Sequence, residues 1–425
     1  MKDGDSLEML PDNKFGVVGQ SLAYSYESFV HSLIGDYNYK VHEVSTNEFS
    51  SLLKNNDFKA LTILSPYKKI AYDLSTAVAA SALKSRFANL VTKDKDGTLK
   101  AYNTDYDAFN LLLSKHSVDV TDKKVLILGT GGVANAAKVA LNEAGAAKVV
   151  FVSRHGQNNY DNISIHYDSD ILINATPVGR YPHNGHSPIE LDGFSKLFLV
   201  IDFVYNPVRT ALIQQAMERS IRVISGSYML AAGAASSARV FLEEPFEADF
   251  IDSVKKKILS EKMNITLIGM PGSGKASIGQ ALSQTIQRPF IDLDVEVEKM
   301  ENMSVADIFS TRGEGYFREA EKNVALKYCK QSGNIISTGG GAILSKENRI
   351  AIKENSFVVY VERNFLDLYN DGRTTPTSIE NLQRIYEVRT PIYELLADTV
   401  IRAHGSVDAN VNMVLEAFKN ANHNY

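Results

Sequence analysis

Cysteine is nearly absent from this chain of 425 residues, and Cys329 is its one thiol. That excludes an internal disulfide and a cysteine-based zinc cluster, and Cys329 is expected to be a small buried apolar residue. Long apolar runs are lacking too. No stretch reaches the roughly 18 unbroken apolar residues of a transmembrane helix. The start, MKDGDSLEMLPDNK, is acidic and has no apolar core of the signal-peptide kind. Nor is there an excess of positive charge: the formal net charge is −5, which gives no general attraction to nucleic acid or to an anionic membrane. These absences lead to the expectation of a cytoplasmic protein with small-molecule partners, no nucleic acid and no membrane. Its basic residues must act locally, one substrate at a time.

What is present is an ordinary globular composition, 44% hydrophobic and 22% charged, on a chain too long for one core. At roughly 100–200 residues per domain, two to three domains are expected. Short apolar runs alternate with longer amphipathic ones, the pattern of α/β units with mainly parallel sheets. Buried strands are expected at Phe15–Val18, Leu61–Leu64, Val125–Leu128, Val149–Val152, Ile171–Ile173 and Leu199–Phe203. A second series follows at Ile265–Ile268, Phe290–Leu293, Ile335–Ser337 and Val358–Val361. Between the two series lies the charged run Asp252–Asn264, expected to be a helix end and then a junction. One boundary is placed near residue 262 and a softer one near 115–122.

The strand Ile265–Ile268 runs into Gly269-Met-Pro-Gly272-Ser-Gly274-Lys275-Ala276-Ser277. Glycines at these positions let backbone N–H groups turn toward a phosphate, and the following helix N-terminus adds its dipole. Lys275 adds a point charge for the β- and γ-phosphates of a nucleoside triphosphate. The residue after the lysine should carry a hydroxyl for magnesium. Here it is Ala276, and Ser277 points about 100° away on a helix. Asp292 and Asp294 form a D-x-D at a strand end, where alternation would put both on one face. The triple glycine Gly339-Gly340-Gly341 follows another strand. Arg318 and Arg389 are candidate clamps for an anionic acceptor, although either arginine alone reads as a surface residue.

Taken together, the P-loop, F-I-D-L-D, G-E-x-x-F-R-x-x-E, T-G-G-G and R-x-P-x-Y-x-x-x-A-D resemble shikimate kinase across residues 263–425. The resemblance implies a P-loop, NMP-kinase-like α/β domain that uses ATP and magnesium. It implies that Asp294 orients the shikimate 3-hydroxyl, that Arg318 and Arg389 bind its carboxylate and that Asp292 supports the metal. Gly339, Gly340 and Gly341 would contact the ring hydroxyls. Arg373 stands where the family has its lid arginine, although the usual R-P-L reads Arg373-Thr-Thr-Pro376 here.

In the first half, Val125–Leu128 leads into Gly129-Thr-Gly131-Gly132-Val-Ala134 and an alanine-rich helix, a dinucleotide fingerprint. The next strand ends in Ser153-Arg154, and an arginine there suits the 2′-phosphate of NADP where NAD would call for an acid. Lys68 and Asp105 could relay a proton beside a nicotinamide, although spacing alone does not single them out. Residues 14 to about 245 resemble shikimate dehydrogenase, with P-x-K, N-T-D, G-x-G-G, N-A-T-P-x-G and D-x-x-Y-x-P-x-x-T in order. That implies an α/β substrate domain (14–115, with a return helix at about 235–261) and a Rossmann NADP(H)-binding domain (116–234). It implies Lys68 and Asp105 as the catalytic pair, Ser25 and Asn89 as substrate ligands, and Tyr205 beside the cleft.

This half departs from type at Glu27, where a serine is usual, at Leu64, where a threonine is usual, and at Gly233, where a glutamine is usual. Reduction of 3-dehydroshikimate would create the hydroxyl that the second half phosphorylates, so a bifunctional enzyme is expected. The departures keep open two rivals: one half as a binding or scaffolding module, and a dehydrogenase acting on quinate or a related polyol acid.

Overall fold

The computed structural model describes residues 14–55, 57–370 and 379–421. The strands of the described residues are β1 (Phe15–Gly19), β2 (Tyr39–Glu43), β3 (Ala60–Ile63), β4 (Ala77–Val78), β5 (Leu90–Lys93) and β6 (Leu99–Tyr102). Then come β7 (Lys124–Leu128), β8 (Lys148–Val152), β9 (Ile171–Asn174), β10 (Leu199–Asp202) and β11 (Arg222–Ser225). The last group is β12 (Asn264–Ile268), β13 (Phe290–Asp292), β14 (Ile335–Ser337), β15 (Ser356–Glu362) and β16 (Thr399–Arg402).

They form three sheets, ordered β2-β1-β3-β5-β6-β4, β11-β10-β9-β7-β8 and β13-β14-β12-β15-β16. The second and third are parallel throughout. The first departs from the parallel expectation, because β5 runs antiparallel to both β3 and β6. Every apolar run named from the sequence overlaps a strand. The strands that escaped notice include β2 and β16, edge strands with exposed residues that break any apolar run.

In the third sheet, alternate residues of β15 enter different cores. Val358 and Tyr360 pack with Ile268, Ile336 and Leu293, whereas Phe357, Val359 and Val361 pack with Ile265, Leu267 and Phe418. A strand covered on both faces reads as one continuous apolar run. The second sheet shares its core with the helix Gly226–Leu242, whose small residues Ala231, Ala234, Ala235 and Ala238 are all buried. Cys329 is buried as expected, and burial pushes its thiol up to about 12.

Contacts divide the chain into two compact units. The first comprises residues up to 177, 188–205 and 215–258, and the second comprises 178–187, 206–214 and the residues from 259 onward. The charged run Asp252–Asn264 holds the end of a helix, as expected, and the division between the two units falls inside it, between residues 258 and 259. The helix Ala248–Lys262 occupies it and is followed after one residue by β12. Its apolar residues Ile251, Val254, Ile258 and Leu259 are all buried.

Inside the second unit, Arg209 is only 3% exposed. Its Nη1 donates to Asp398 Oδ1 at 2.8 Å and its Nε to the Lys353 carbonyl at 2.8 Å. Lys353 Nζ donates to the same Asp398 oxygen at 2.9 Å, and the Val358 amide donates to the other at 2.8 Å. Burial works to raise the Asp398 carboxyl, but Arg209 and Lys353 hold it below the usual carboxylate range.

Two candidate active sites

The dinucleotide turn begins where β7 ends. This is the point where the chain reverses its direction across the second sheet, with β8 on one side of β7 and β9 on the other. Gly129 has φ +102, and a Cβ there would lie 3.1 Å from the Ala175 carbonyl oxygen, so the turn closes against the N-A-T segment. At Gly131 a Cβ would meet no protein atom within 4 Å, which leaves room for a pyrophosphate over the helix Gly132–Glu143. Ser153 is half-buried and Arg154 exposed just past β8.

Gly132 ties this turn to the chemistry. A Cβ on it would sit 2.7 Å from Cδ of Lys68. Lys68 opens the helix Lys68–Leu74, which residues 64–67 link to β3, and Asp105 lies in the first turn of Thr104–Lys115. Lys68 Nζ donates to Asp105 Oδ2 at 2.6 Å, and both side chains are mostly buried. Asn89 aims the carboxylate. Its Nδ2 donates to Asp105 Oδ1 at 3.0 Å, while its own Oδ1 accepts the Thr104 amide at 2.7 Å. Asn89 thus orients Asp105, whatever else it touches. Ser25 Oγ accepts the Glu27 amide at 3.3 Å. Tyr205 is half-buried, its ring 5.3 Å from that of Tyr26. Thr104, the middle residue of the N-T-D motif, locks this network: its Oγ1 lies 2.8 Å from Ser237 Oγ on the long alanine-rich helix.

The second site surrounds the end of β12. Gly269, Gly272 and Gly274 all have positive φ, as the phosphate-cradling turn requires. Lys275 then begins the helix Lys275–Ile286. Its Nζ folds back on the Met270 carbonyl at 2.8 Å. Burial pulls its pKa down to about 8, with Asp294 and Asp292 opposing and Arg389 adding to the fall. Ala276 and Ser277 are both exposed.

Strand alternation does not govern Asp292 and Asp294. Asp292 is the last residue of β13 and the N-cap of Leu293–Glu301, accepting the Asp294 amide at 3.1 Å through Oδ1. Asp294 belongs to that helix's first turn, so the helix sets its direction. Burial, then Asp292 and Glu321, push its pKa up to about 6 against Lys275 and Arg318.

The triple glycine is a point of close approach. A Cβ on Gly339 would fall 2.5 Å from Asp294 Oδ1 and 2.6 Å from Glu321 Oε1. One on Gly341 would fall 2.4 Å from the Arg318 guanidinium, and one on Gly340 2.5 Å from Pro271. Asp294 Oδ1 and Glu321 Oε1 are buried without a hydrogen-bond partner. Arg318 Nη1 donates to Glu321 Oε2 at 2.8 Å. Arg389 is half-buried, hydrogen-bonds Tyr393 and feels Glu321, while Tyr393 donates its hydroxyl to the Gly340 carbonyl. Glu321 was missed in the sequence although it closes the G-E-x-x-F-R-x-x-E segment, one turn past Arg318. Arg373 lies outside the described residues.

A family model described as shikimate kinase matches residues 271–419. The shikimate kinase of Clostridium beijerinckii is 34% identical over 160 residues, which cover 36% of this chain and 94% of that relative. The chain belongs to the shikimate kinase family. Its first half is similar to another enzyme: the NADP(+) shikimate dehydrogenase of Caldicellulosiruptor bescii is 29% identical over 260 residues, covering 54% of this chain and 89% of the relative. Among solved structures, a chorismate mutase/shikimate 5-dehydrogenase fusion protein from Clostridium acetobutylicum superposes with a TM-score of 0.54 at 27% identity. That match covers 57% of this chain and 96% of the other. A shikimate dehydrogenase-like half is therefore fused to a shikimate kinase half in one polypeptide.

Proposed function

We infer that the chain is a bifunctional enzyme of the chorismate pathway, reducing 3-dehydroshikimate to shikimate with NADPH and phosphorylating the 3-hydroxyl of shikimate with ATP. The observation that carries this reading is the placement of the Lys68–Asp105 pair against Gly132 of the dinucleotide turn. A proton relay beside a hydride donor is what a ketone reduction needs. The kinase family of the second half then acts on the product of that reduction. We assign residues 14–115 and the return helix to the reductase substrate domain, 116–234 to the NADP(H) domain and 263–425 to the kinase.

Bound NADPH supplies the hydride in the first reaction, and bound ATP supplies the phosphoryl group in the second. As the ketone carbon gains hydride, Lys68 donates a proton to the oxygen, and Asp105 holds the ammonium in line through its 2.6 Å bond. Ser25 and Asn89 bind substrate, and Tyr205 stands beside the cleft. Arg154 pairs with the 2′-phosphate of the dinucleotide.

In the kinase, the amides of the loop from Gly269 to Gly274 cradle the phosphates and Lys275 leaves the Met270 carbonyl to meet them. Asp294, ionised above about 6, accepts the proton of the attacking hydroxyl through its unpartnered Oδ1. Arg318 and Arg389 clamp the carboxylate, Gly339 to Gly341 admit the ring, and Arg373 has the part of the family's lid arginine. Magnesium fits the hard oxygen donors present. Asp292 would hold it with Oδ2, the oxygen left over from helix capping, and it would offset phosphate charge. Ala276 offers it no ligand, and Ala276→Ser should lower the magnesium concentration needed for half-maximal turnover; no change would assign the hydroxyl to Ser277.

The test is a pair of separate assays on the full-length chain: NADPH oxidation with 3-dehydroshikimate, and ADP release with shikimate and magnesium-ATP. Turnover in both is expected. A half that stays silent with its own substrate overturns the reading for that half.

A further inference from the structure

Glu27 occupies a place in the reductase site that the proposed chemistry does not use. It is the first residue of the helix Glu27–Ile34, its amide donates to Ser25 Oγ at 3.3 Å, its side chain is 14% exposed, and it feels the charges of Lys68 and Asp105. Those two are already joined at 2.6 Å, so their charges cancel and an ionised Glu27 leaves the site with one net negative charge.

Among the described residues, no other charge offsets it. His31 Nε2 is 3.8 Å from Glu27 Oε2, beyond hydrogen-bond reach. His31 is fully buried, stacked at 3.9 Å on Tyr39 and bonded through Nδ1 to the Tyr37 hydroxyl at 2.6 Å. Burial pulls its pKa down to about 3, so it stays neutral. Tyr37 and Tyr39 also face Glu27, and burial keeps both phenols protonated. β1 carries no ionisable side chain. The helix Gly226–Leu242 that packs on this helix has Arg239 as its one charged residue, and that charge falls on Asp107. A carboxylate substrate brought beside an ionised Glu27 would therefore meet an uncompensated like charge in a half-enclosed site, an arrangement that works against binding.

We propose that Glu27 is a specificity-determining residue that must carry a proton when the reductase site takes a carboxylate substrate, so that binding takes up one proton and the protonated Oε donates a hydrogen bond to the ligand. This rests on the reductase reading above. The burial that raises the Glu27 pKa to about 7, against Lys68 and with Asp105 adding, puts the switch in the physiological range.

The experiment measures KM for 3-dehydroshikimate at saturating NADPH from pH 6 to 9, for the native chain, Glu27→Gln and Glu27→Ser. The native KM is expected to be flat below about pH 7 and to climb about tenfold per unit above it, with kcat changing far less. Glu27→Gln, which keeps the shape and the donor, should flatten that slope. A native KM that does not vary across the range overturns the proposal. Turnover by Glu27→Ser with none by the native chain at any pH overturns it as well, because Glu27 then stays ionised and excludes carboxylates. No turnover by any of the three removes the reductase reading itself, and the proposal with it.

Discussion

Each half of the molecule has a lysine and an aspartate at its proposed reacting centre, yet the two pairs are held in opposite states. Lys68 and Asp105 are closed on each other at 2.6 Å, with Asn89 and Thr104 fixing the carboxylate. Lys275 and Asp294 make no such bond. The lysine rests on a carbonyl of its own loop, and the aspartate keeps a buried oxygen without a partner. A ketone reduction needs one proton delivered from a prealigned donor, so the charges can be compensated before substrate arrives. Phosphoryl transfer brings a polyanion, and a lysine already spent on an aspartate would have less to give it. The contrast teaches that the ligand's charge decides how much of the site's own charge may be neutralised beforehand.

The largest expected effect separates the two pairs. Lys275→Met should cut ADP release by about a thousandfold or more, as loss of a charge on the transferring phosphoryl group does, with NADPH oxidation retained. Lys68→Met should do the reverse, lowering NADPH oxidation by about a hundredfold or more with the kinase untouched. Cross-inhibition by either variant would break the picture of two independent centres.

Next in size is the buried cation cluster of the second unit. Arg209→Met leaves Asp398 with Lys353 as its one cation beside the Val358 amide, and urea unfolding should report a loss of about 3 kcal/mol in the transition that also abolishes kinase activity. A loss below about 0.5 kcal/mol, the range of surface substitutions, would make the cluster superficial.

A pH profile sharpens the comparison further. Asp294 has its pKa raised to about 6, and a base works only when deprotonated, so kinase kcat/KM should fall about tenfold per unit below that value. Lys275, lowered to about 8 in the free enzyme, loses its charge above it, so KM for ATP should rise on the alkaline side. The smallest effect is expected at Gly233, inside the helix Gly226–Leu242 with no atom within 4 Å of a Cβ position. Gly233→Ala should stabilise the first unit by about 1 kcal/mol on helix propensity alone, read as a rise in its unfolding midpoint.

The sequence by itself determined the features that a few consecutive residues can specify. A buried parallel strand must be an apolar run, and a phosphate turn must have glycines followed by a helix, so β7, β12 and both glycine loops were legible. The strands β2 and β16 were not, because edge position lets polar side chains interrupt the run. Asp292 and Asp294 were placed by strand alternation, but the strand ends at the first of them and the helix takes over.

Tertiary structure alone decided the rest. Lys68 and Asp105 stand 37 positions apart, and no local periodicity links them. Glu321 acquires meaning only where Gly339, by lacking a side chain, lets it come up beside Asp294. Arg209, a residue of the tyrosine-containing motif of the first half, becomes a buried member of the second unit's core through Asp398, 189 positions away. Such pairings depend on which surfaces meet when sheets and helices pack. A side chain's neighbours, and with them its charge state and its use, are fixed by packing between elements rather than by the residues next to it in the chain.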